Sequence, residues 1–406
     1  MRRKDRVSTF WNTMMKSNVF VTLLPLTLAV FIAFLTMGMQ LPVLPLHLQQ
    51  NLGMNTLMIG AVIGAQFIAA LLTRAWAGNF ADMRGPKRAV IAGLLVIASS
   101  GFIYLLSLLF IQHPPLSVAI LLLGRVVLAL GESLMATGAL GWGLGLVGAS
   151  HAGKVMAWIG IAIYGAWALG APLGVAIYSG GHFTGIALAI IVIPLLPLLF
   201  ITRTRGIAPT ATTRTPFYKV MGAVWQPGLG LALASVGFGM ITAFIALLFA
   251  AKPWGNASLA FTAFGVTFIV ARLFFAHLPD KLGGARVALV CVIIEACGQL
   301  LIWGADSANV AYLGAALTGF GYSLAFPGFG VEAVRRAPPQ TRSLAMGAYV
   351  AFLDIALGIT SPVAGALAGR FGIASVYLAG AIAVACAVLV AVSLLARQPR
   401  AQHVVE

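Results

Sequence analysis

The sequence predicts an all-α membrane protein: twelve transmembrane helices in two pseudo-symmetric six-helix bundles. Three observations predict it. Of its 406 residues, 61% are hydrophobic and only 8% charged, with a mean hydropathy of +1.01. A soluble domain carries about 25% charged residues, so this chain cannot cover a water-facing surface. Apolar runs of spanning length recur along the whole chain, separated by short Gly, Pro and charged punctuation. The two halves also echo each other in sequence.

In chain order the runs lie at about 20–46, 57–80, 88–110, 116–147, 153–178, 184–202, 225–250, 258–278, 285–304, 308–332, 343–368 and 372–396. Each is expected to be a helix, because lipid offers no partner for unpaired backbone groups and a helix satisfies its own. The first run follows a basic stretch (Arg2, Arg3, Lys4, Arg6, Lys16) and is longer than the apolar core of a cleavable signal, so it reads as a span. Its end, GMQLPVLPLHL (38–48), sets Gln40 beside two prolines, where a broken helix presents an amide to a substrate. Met37, Met39, Trp142, Phe244 and Tyr322 are candidates for an adaptable apolar wall around it.

Lysines and arginines set the orientation. The N-terminal tail, the turns after even-numbered spans, the long loop and the C-terminal tail hold nearly all of them, including Arg84, Lys87, Arg88, Lys154, Arg203, Lys281, Arg335 and Arg397. Opposite lie only Lys252 and Arg370, and Arg74, Arg125 and Arg272 fall inside spans. The positive-inside rule therefore places both termini in the cytoplasm. This pattern accounts for the net charge of +16 without nucleic acid. The domain division is 1–202, a bundle with a basic tail; 203–222, a Thr-, Pro- and Arg-containing linker; and 223–406, the second bundle.

No cofactor or metal is expected. The histidines scatter, and Cys291, Cys297 and Cys386 lie in apolar runs without metal-site spacing. No Gly-x4-Gly-Lys-Ser/Thr loop occurs, so ATP is not the energy source. No His, Ser or paired carboxylates converge as an enzyme requires, and no loop is long enough for the output domain of a sensor.

The echo between halves is specific. RAWAGNFADMRGPKR (74–88) and RLFFAHLPDKLGGAR (272–286) share Arg-x7-Asp-x2-Gly-x2-Arg, offset by 198 residues. GESLMATG (131–138) and GYSLAFPG (321–328) share Gly-x-Ser-Leu-x3-Gly, and ALG recurs at 168–170 and 356–358. Two related six-helix halves are the parallel repeat of a rocking transporter.

On these residues the chain resembles the major facilitator superfamily over essentially its whole length. GNFADMRGPKR (78–88) looks like the family's signature after span 2. The resemblance implies a secondary transporter working by alternating access as a monomer, and the compact loops suggest a bacterial inner membrane. Its partners would be a small molecule, protons and the bilayer. It implies a gating role for Arg74, Gly78, Asp82, Arg88, Arg272 and Asp280. Gly78 would allow a close helix approach. Asp82 is expected near residues 341–346, at the start of span 11, and Asp280 near 152–157.

Three acids, Glu132, Glu295 and Asp354, lie deep in spans, where charge is costly and usually functional. Arg125 and Glu132 share a face of span 4, which lines the family's cavity, although position 129 is Ala where the family's span-4 motif has Gly. They read as coupling residues or as a buried ion pair. Asp354 faces Ala166 in the repeat alignment and, in apolar surroundings, is a natural proton carrier. Glu295 falls on span 9, an outer helix in the family, and is set aside. Gly170, Pro172 and Gly174 in span 5 are similar to the family's antiporter signature, which points to export. The resulting expectation is proton-coupled efflux of a drug, sugar or metabolite. The alternatives are a proton-symport importer, a facilitator, or a lipid flippase or other non-transporting membrane protein.

Overall fold

The computed structural model describes residues 2–148, 151–209, 217–336 and 342–396, and among them every regular element is helical. In chain order these are α1 (Arg2–Leu46), α2 (Thr56–Arg84), α3 (Pro86–Leu109), α4 (Pro114–Val147), α5 (Ala152–Val192), α6 (Leu198–Ile201), α7 (Phe217–Ala251), α8 (Ser258–Phe275), α9 (Leu278–Leu282), α10 (Gly284–Trp303), α11 (Ala308–Arg336), α12 (Arg342–Phe371) and α13 (Ser375–Ala396).

Ten segments among the described residues are long and apolar enough to cross a membrane. One of them, Lys154–Ile201, runs for 48 residues. It turns at His182, whose backbone (φ 52°, ψ −156°) is not helical, just after the pair Gly180–Gly181. The fifth and sixth runs of the sequence are the two sides of this turn. The 29-residue α11 is a further long helix, less apolar because it ends in Glu332, Arg335 and Arg336.

Two compact units form. One holds residues up to Gln40 and Leu72–Thr212; the other holds Leu41–Leu71 and the chain from Thr213 onward. In the first, α3 packs along α4 and also touches α5. In the second, α10 packs along α11 and α13, while α7 packs against α12, α13 and α11.

The sequence echo has a physical counterpart inside each unit. Gly93 and Gly131 bring α3 and α4 together, a Cβ on Gly93 falling 2.8 Å from Gly131 O. Gly298 and Gly314 do the same for α10 and α11, at 2.6 Å. Small residues let two backbones approach where lipid supplies no hydrophobic driving force. The repeated serine also finds the second helix of its own unit: Ser133 Oγ meets Thr73 Oγ1 at 3.0 Å, and Ser323 Oγ donates to Phe268 O at 2.7 Å.

The glycine of the Asp-x2-Gly motif makes the turn that follows. Gly85 (φ 94°, ψ 141°) precedes α3 and Gly283 (φ 92°, ψ 137°) precedes α10. Only glycine adopts this region without a Cβ clash. Gly85→Ala is therefore expected to cost about 1–3 kcal/mol, read as a lower melting temperature in detergent; an unchanged melting temperature would show that the turn tolerates a side chain. The next residues of the motif anchor the chain after α6. Lys87 Nζ donates to Thr202 O (2.6 Å) and Thr204 O (2.7 Å), and Trp142 Nε1 donates to Arg205 O (2.9 Å).

Candidate functional site

The first unit brings two of the sequence candidates, Gln40 and Arg125, into direct contact. Gln40 is 2% exposed near the end of α1, and its Nε2 donates to Thr36 O at 3.0 Å. Its Oε1 then accepts from Tyr104 OH at 3.0 Å and from Arg125 Nη1 at 3.2 Å. Tyr104 of α3 is fully buried and stacks on Phe183, and Gly124 of α4 leaves room for its ring.

Close helix approaches hold this cluster in place. Gly38 lies against Ala166, Trp167 and Gly170 of α5, and a Cβ on Gly170 would fall 2.9 Å from Gly38 Cα. A Cβ on Gly174 would overlap Met39 O and come within 2.7 Å of Met39 Cα. Gln40 is the next residue. Gly170 and Gly174 thus seat the part of α1 that carries the amide, and Pro172 sits between them inside α5.

The electrostatics of the cluster are one-sided. Arg125 is 6% exposed, and among the described residues its side chain interacts with the neutral Gln40 and Tyr104; its Nε has no partner. Among the described residues no carboxylate pairs with it. Glu132, seven residues along α4, is partly exposed and has contacts of its own. The ion pair between the two is not formed among the described residues, the seven-residue spacing placing them about 10 Å apart along the helix axis. A buried guanidinium held by neutral groups keeps its charge available to an anion.

The other candidates are spread through the two units. In the first, Arg74 and Gly78 are partly exposed on α2, while Asp82 and Arg88 are exposed at either side of the Gly85 turn. A Cβ on Gly78 would meet nothing closer than Thr137 Cγ2 at 3.8 Å. Among the described residues no close approach occurs there, and α2 makes its tight contacts at Gly60 and Gly64. In the second unit, Arg272 Nη2 donates to Ser323 O at 2.8 Å, and the guanidinium lies over Phe268 at 4.9 Å. Tyr322 is fully buried, stacked on Phe238 at 5.5 Å with its hydroxyl 3.3 Å from Ser235 Oγ. Asp354 is 3% exposed on α12. Met37, Met39, Trp142 and Phe244 are all interior.

The expected approach of Asp82 to 341–346 rests on residue 341 and on the side chains at 342–344 and 346, which lie outside the described residues, as do the side chain of Asp280 and those at 152 and 153. Among the described residues no group of His, Cys, Asp and Glu is arranged to hold a metal.

Sequence reasoning missed Tyr104, whose signal is weak: one hydroxyl in an apolar run. It also missed the inward placement of Glu295, which has no solvent exposure.

Comparison with known proteins agrees with this architecture. The family profile described as "Major Facilitator Superfamily" matches residues 26–254 and 228–406. An uncharacterized MFS-type transporter of Salmonella typhimurium is 46% identical over 380 residues, 93% of this chain and 97% of that protein. One of Burkholderia mallei is 45% identical over 373 residues, 91% of each. Among solved structures, the human organic anion transporter MFSD10 (TETRAN) matches with a TM-score of 0.66 at 16% identity, covering 91% of this chain and 98% of that one. The nucleoside transporter NupG matches with a TM-score of 0.67 at 16% identity, covering 92% and 99%. At these identities the two structures speak to the fold alone.

Proposed function

We propose that this chain, which belongs to the Major Facilitator Superfamily, exports a small organic molecule bearing an anionic group in exchange for protons. Membership makes it a multi-pass transporter of a small-molecule substrate and not an enzyme. The finer reading rests on one observation: Arg125 is buried, charged and held by the neutral Gln40–Tyr104 pair, with no carboxylate among the described residues bound to it. An anionic substrate group supplies the missing countercharge, and a charge-assisted hydrogen bond of this kind contributes about 1.5–3 kcal/mol.

Two further features support export by proton exchange. Asp354 is a carboxyl buried to 3% exposure in an otherwise apolar stretch of α12. Gly170, Pro172 and Gly174, similar to the antiporter signature, shape the α5 surface that seats Gln40. The same proposal places the protein in a bacterial inner membrane with both termini cytoplasmic. A fluorescent protein that matures only in the cytoplasm, fused after residue 406, is expected to fluoresce; a dark fusion that is nonetheless expressed and inserted would contradict the orientation.

The test uses everted membrane vesicles with an energised proton gradient. Organic anions, sugars and cationic drugs are added in turn to wild type and to Asp354→Asn. Organic anions are expected to dissipate the gradient in wild type and to fail in the variant. Dissipation by cations alone would refute the role given to Arg125. Ligand exchange without dissipation by anything would make the protein a facilitator.

A further inference from the structure

Glu295 lies in the middle of α10, nine residues after Arg286 and so about 13 Å along the helix axis from it. It has no solvent exposure, and neither carboxyl oxygen has a hydrogen-bond partner among the described residues. One turn on, Gln299 is also fully buried. Its Nε2 donates to Thr318 Oγ1 of α11 (3.1 Å) and to Gly237 O of α7 (3.2 Å), while its Oε1 is left without a partner. Tyr377 of α13, the helix packed against the other side of α10, has a buried hydroxyl that is unpartnered too.

Glycines wall this chamber. A Cβ on Gly237 would come 2.7 Å from Glu295 Oε1, and one on Gly380 would come 2.7 Å from Gln299 Oε1. On α11, a Cβ on Gly321 would fall 2.8 Å from Glu295 N on the α10 backbone. The room needed by the carboxyl and the amide is therefore provided by backbones on three neighbouring helices.

The internal repeat shows that the position does not require a polar group. In the first unit Gly131 occupies the place of Gly321, and the residue that meets it at 2.8 Å is Ile97, which is 198 residues before Glu295. Ile97 is fully buried as well. An apolar side chain fills the site in one unit and a carboxyl fills it in the other. Each unsatisfied buried polar group costs about 1–3 kcal/mol, and such costs persist where another state of the protein uses the group.

Among the described residues no cation faces the carboxyl. The bodies of α7, α11 and α13 beside it contain no lysine or arginine; Lys219, Arg335 and Arg336 lie at helix ends, and Lys281 of α9 is exposed. The other titratable groups around it are Cys291, one turn earlier on α10, Tyr377 on α13, and Tyr322 on α11, whose ring is turned onto Phe238. An ionised carboxylate there would be an uncompensated charge at mid-membrane, costing about 2.5–3.5 kcal/mol even on insertion scales. A proton removes that cost.

We propose that Glu295 is a second proton-binding site, which takes up and releases one proton in each transport cycle. Uptake forms an O–H bond on the carboxylate with a proton drawn from water on one side of the membrane. Release breaks the bond and returns the proton to water on the other side; no electrons move. The free Gln299 Oε1, one turn along α10, is the group that receives the O–H as the helices shift. The role in the cycle rests on the proton-exchange reading above, whereas the binding of a proton does not.

Infrared spectroscopy of the protein reconstituted in lipid vesicles tests it. At neutral pH, Asp354→Asn is expected to show the carbonyl band of a protonated carboxyl, and the double variant Asp354→Asn/E295Q to lack it. Transfer to D2O is expected to shift the band within the time of transport turnover. A missing band, or one that never shifts in D2O, would overturn the proposal. In everted vesicles, E295Q is expected to lose substrate-driven gradient dissipation while keeping the wild-type melting temperature; dissipation at the wild-type rate would overturn the role in the cycle. If no compound dissipates the gradient in wild type, proton exchange itself fails, and the deuterium shift alone decides whether Glu295 binds an exchangeable proton. If E295Q does not fold, the shift in Asp354→Asn again decides.

Discussion

Arg125→Gln is expected to weaken binding of the transported anion by about ten- to a hundred-fold, the equivalent of one charge-assisted hydrogen bond. The substitution keeps a donor near Gln40 Oε1 and removes only the charge. Folding is expected to survive, because among the described residues the buried guanidinium is held by the neutral Gln40 and Tyr104 and has no ion partner to orphan. Gln40→Leu should give a smaller loss, since it frees Arg125 and Tyr104 together and leaves the charge in place. Ligand-induced stabilisation of the purified protein measures both. Equal affinities in wild type and Arg125→Gln would remove Arg125 from recognition.

Gly60→Val is expected to abolish transport by breaking a backbone seam inside the second unit. The first part of α2 lies against α12 there, with no side chain between. A Cβ on Gly60 would overlap Ser361 O and sit 2.8 Å from Ser361 C; one on Gly64 would sit 2.7 Å from Gly358 O. At the end of the seam Thr56 Oγ1 donates to Gly365 O at 2.7 Å. The branched valine side chain cannot enter this space unless the backbones part, and overpacking of a tight site costs about 1–3 kcal/mol or more. Such a cost is enough to depopulate a state of a transporter that must visit several. The readout is cysteine cross-linking of Thr56→Cys with Gly369→Cys, because a Cβ on Gly369 would fall 3.1 Å from Thr56 Oγ1. In a background without the three native cysteines, cross-linking should be efficient with Gly60 in place and fall at least tenfold in Gly60→Val. Undiminished cross-linking with full transport would show that the seam is not a constraint.

The opposite end of α2 supplies the contrast. Gly78 is the glycine that the sequence singles out, because it sits in the motif after span 2. Among the described residues it has space for a Cβ, and Gly60 and Gly64, which carry no motif, do not. A chain with 46 glycines does not declare which of them touch a neighbouring backbone. That depends on helix crossings, which no local pattern encodes.

What was legible followed from quantities that need no tertiary structure. Hydropathy revealed the membrane class, and the Arg-x7-Asp-x2-Gly-x2-Arg echo gave the expectation of two related halves. The motif repeats a glycine at 85 and 283, and the structure gives both a positive φ. Gln40 and Arg125 were each conspicuous as polar residues in apolar runs. Their contact was not, because 85 residues separate them and Tyr104 joins from a third helix. Glu295 was hidden for a different reason. An almost uniformly apolar helix shows no polar face in its sequence, so which side points inward is decided by packing. The division between the fifth and sixth spans was visible as the Gly180–Gly181 punctuation, but its form, a turn at His182 within one continuous helical run, was not.

The central claim is that Arg125, held by Gln40 and Tyr104, recognises an anionic substrate that the protein carries across the membrane. The most direct measurement is counterflow in proteoliposomes without any ion gradient. Vesicles are loaded with an unlabelled organic anion that stabilises the purified protein, and uptake of its labelled form is followed in wild type and Arg125→Gln. The expected result is transient accumulation in wild type and its loss in the variant at the same external concentration. Equal counterflow in both, or counterflow only of cations and neutral compounds, would contradict it.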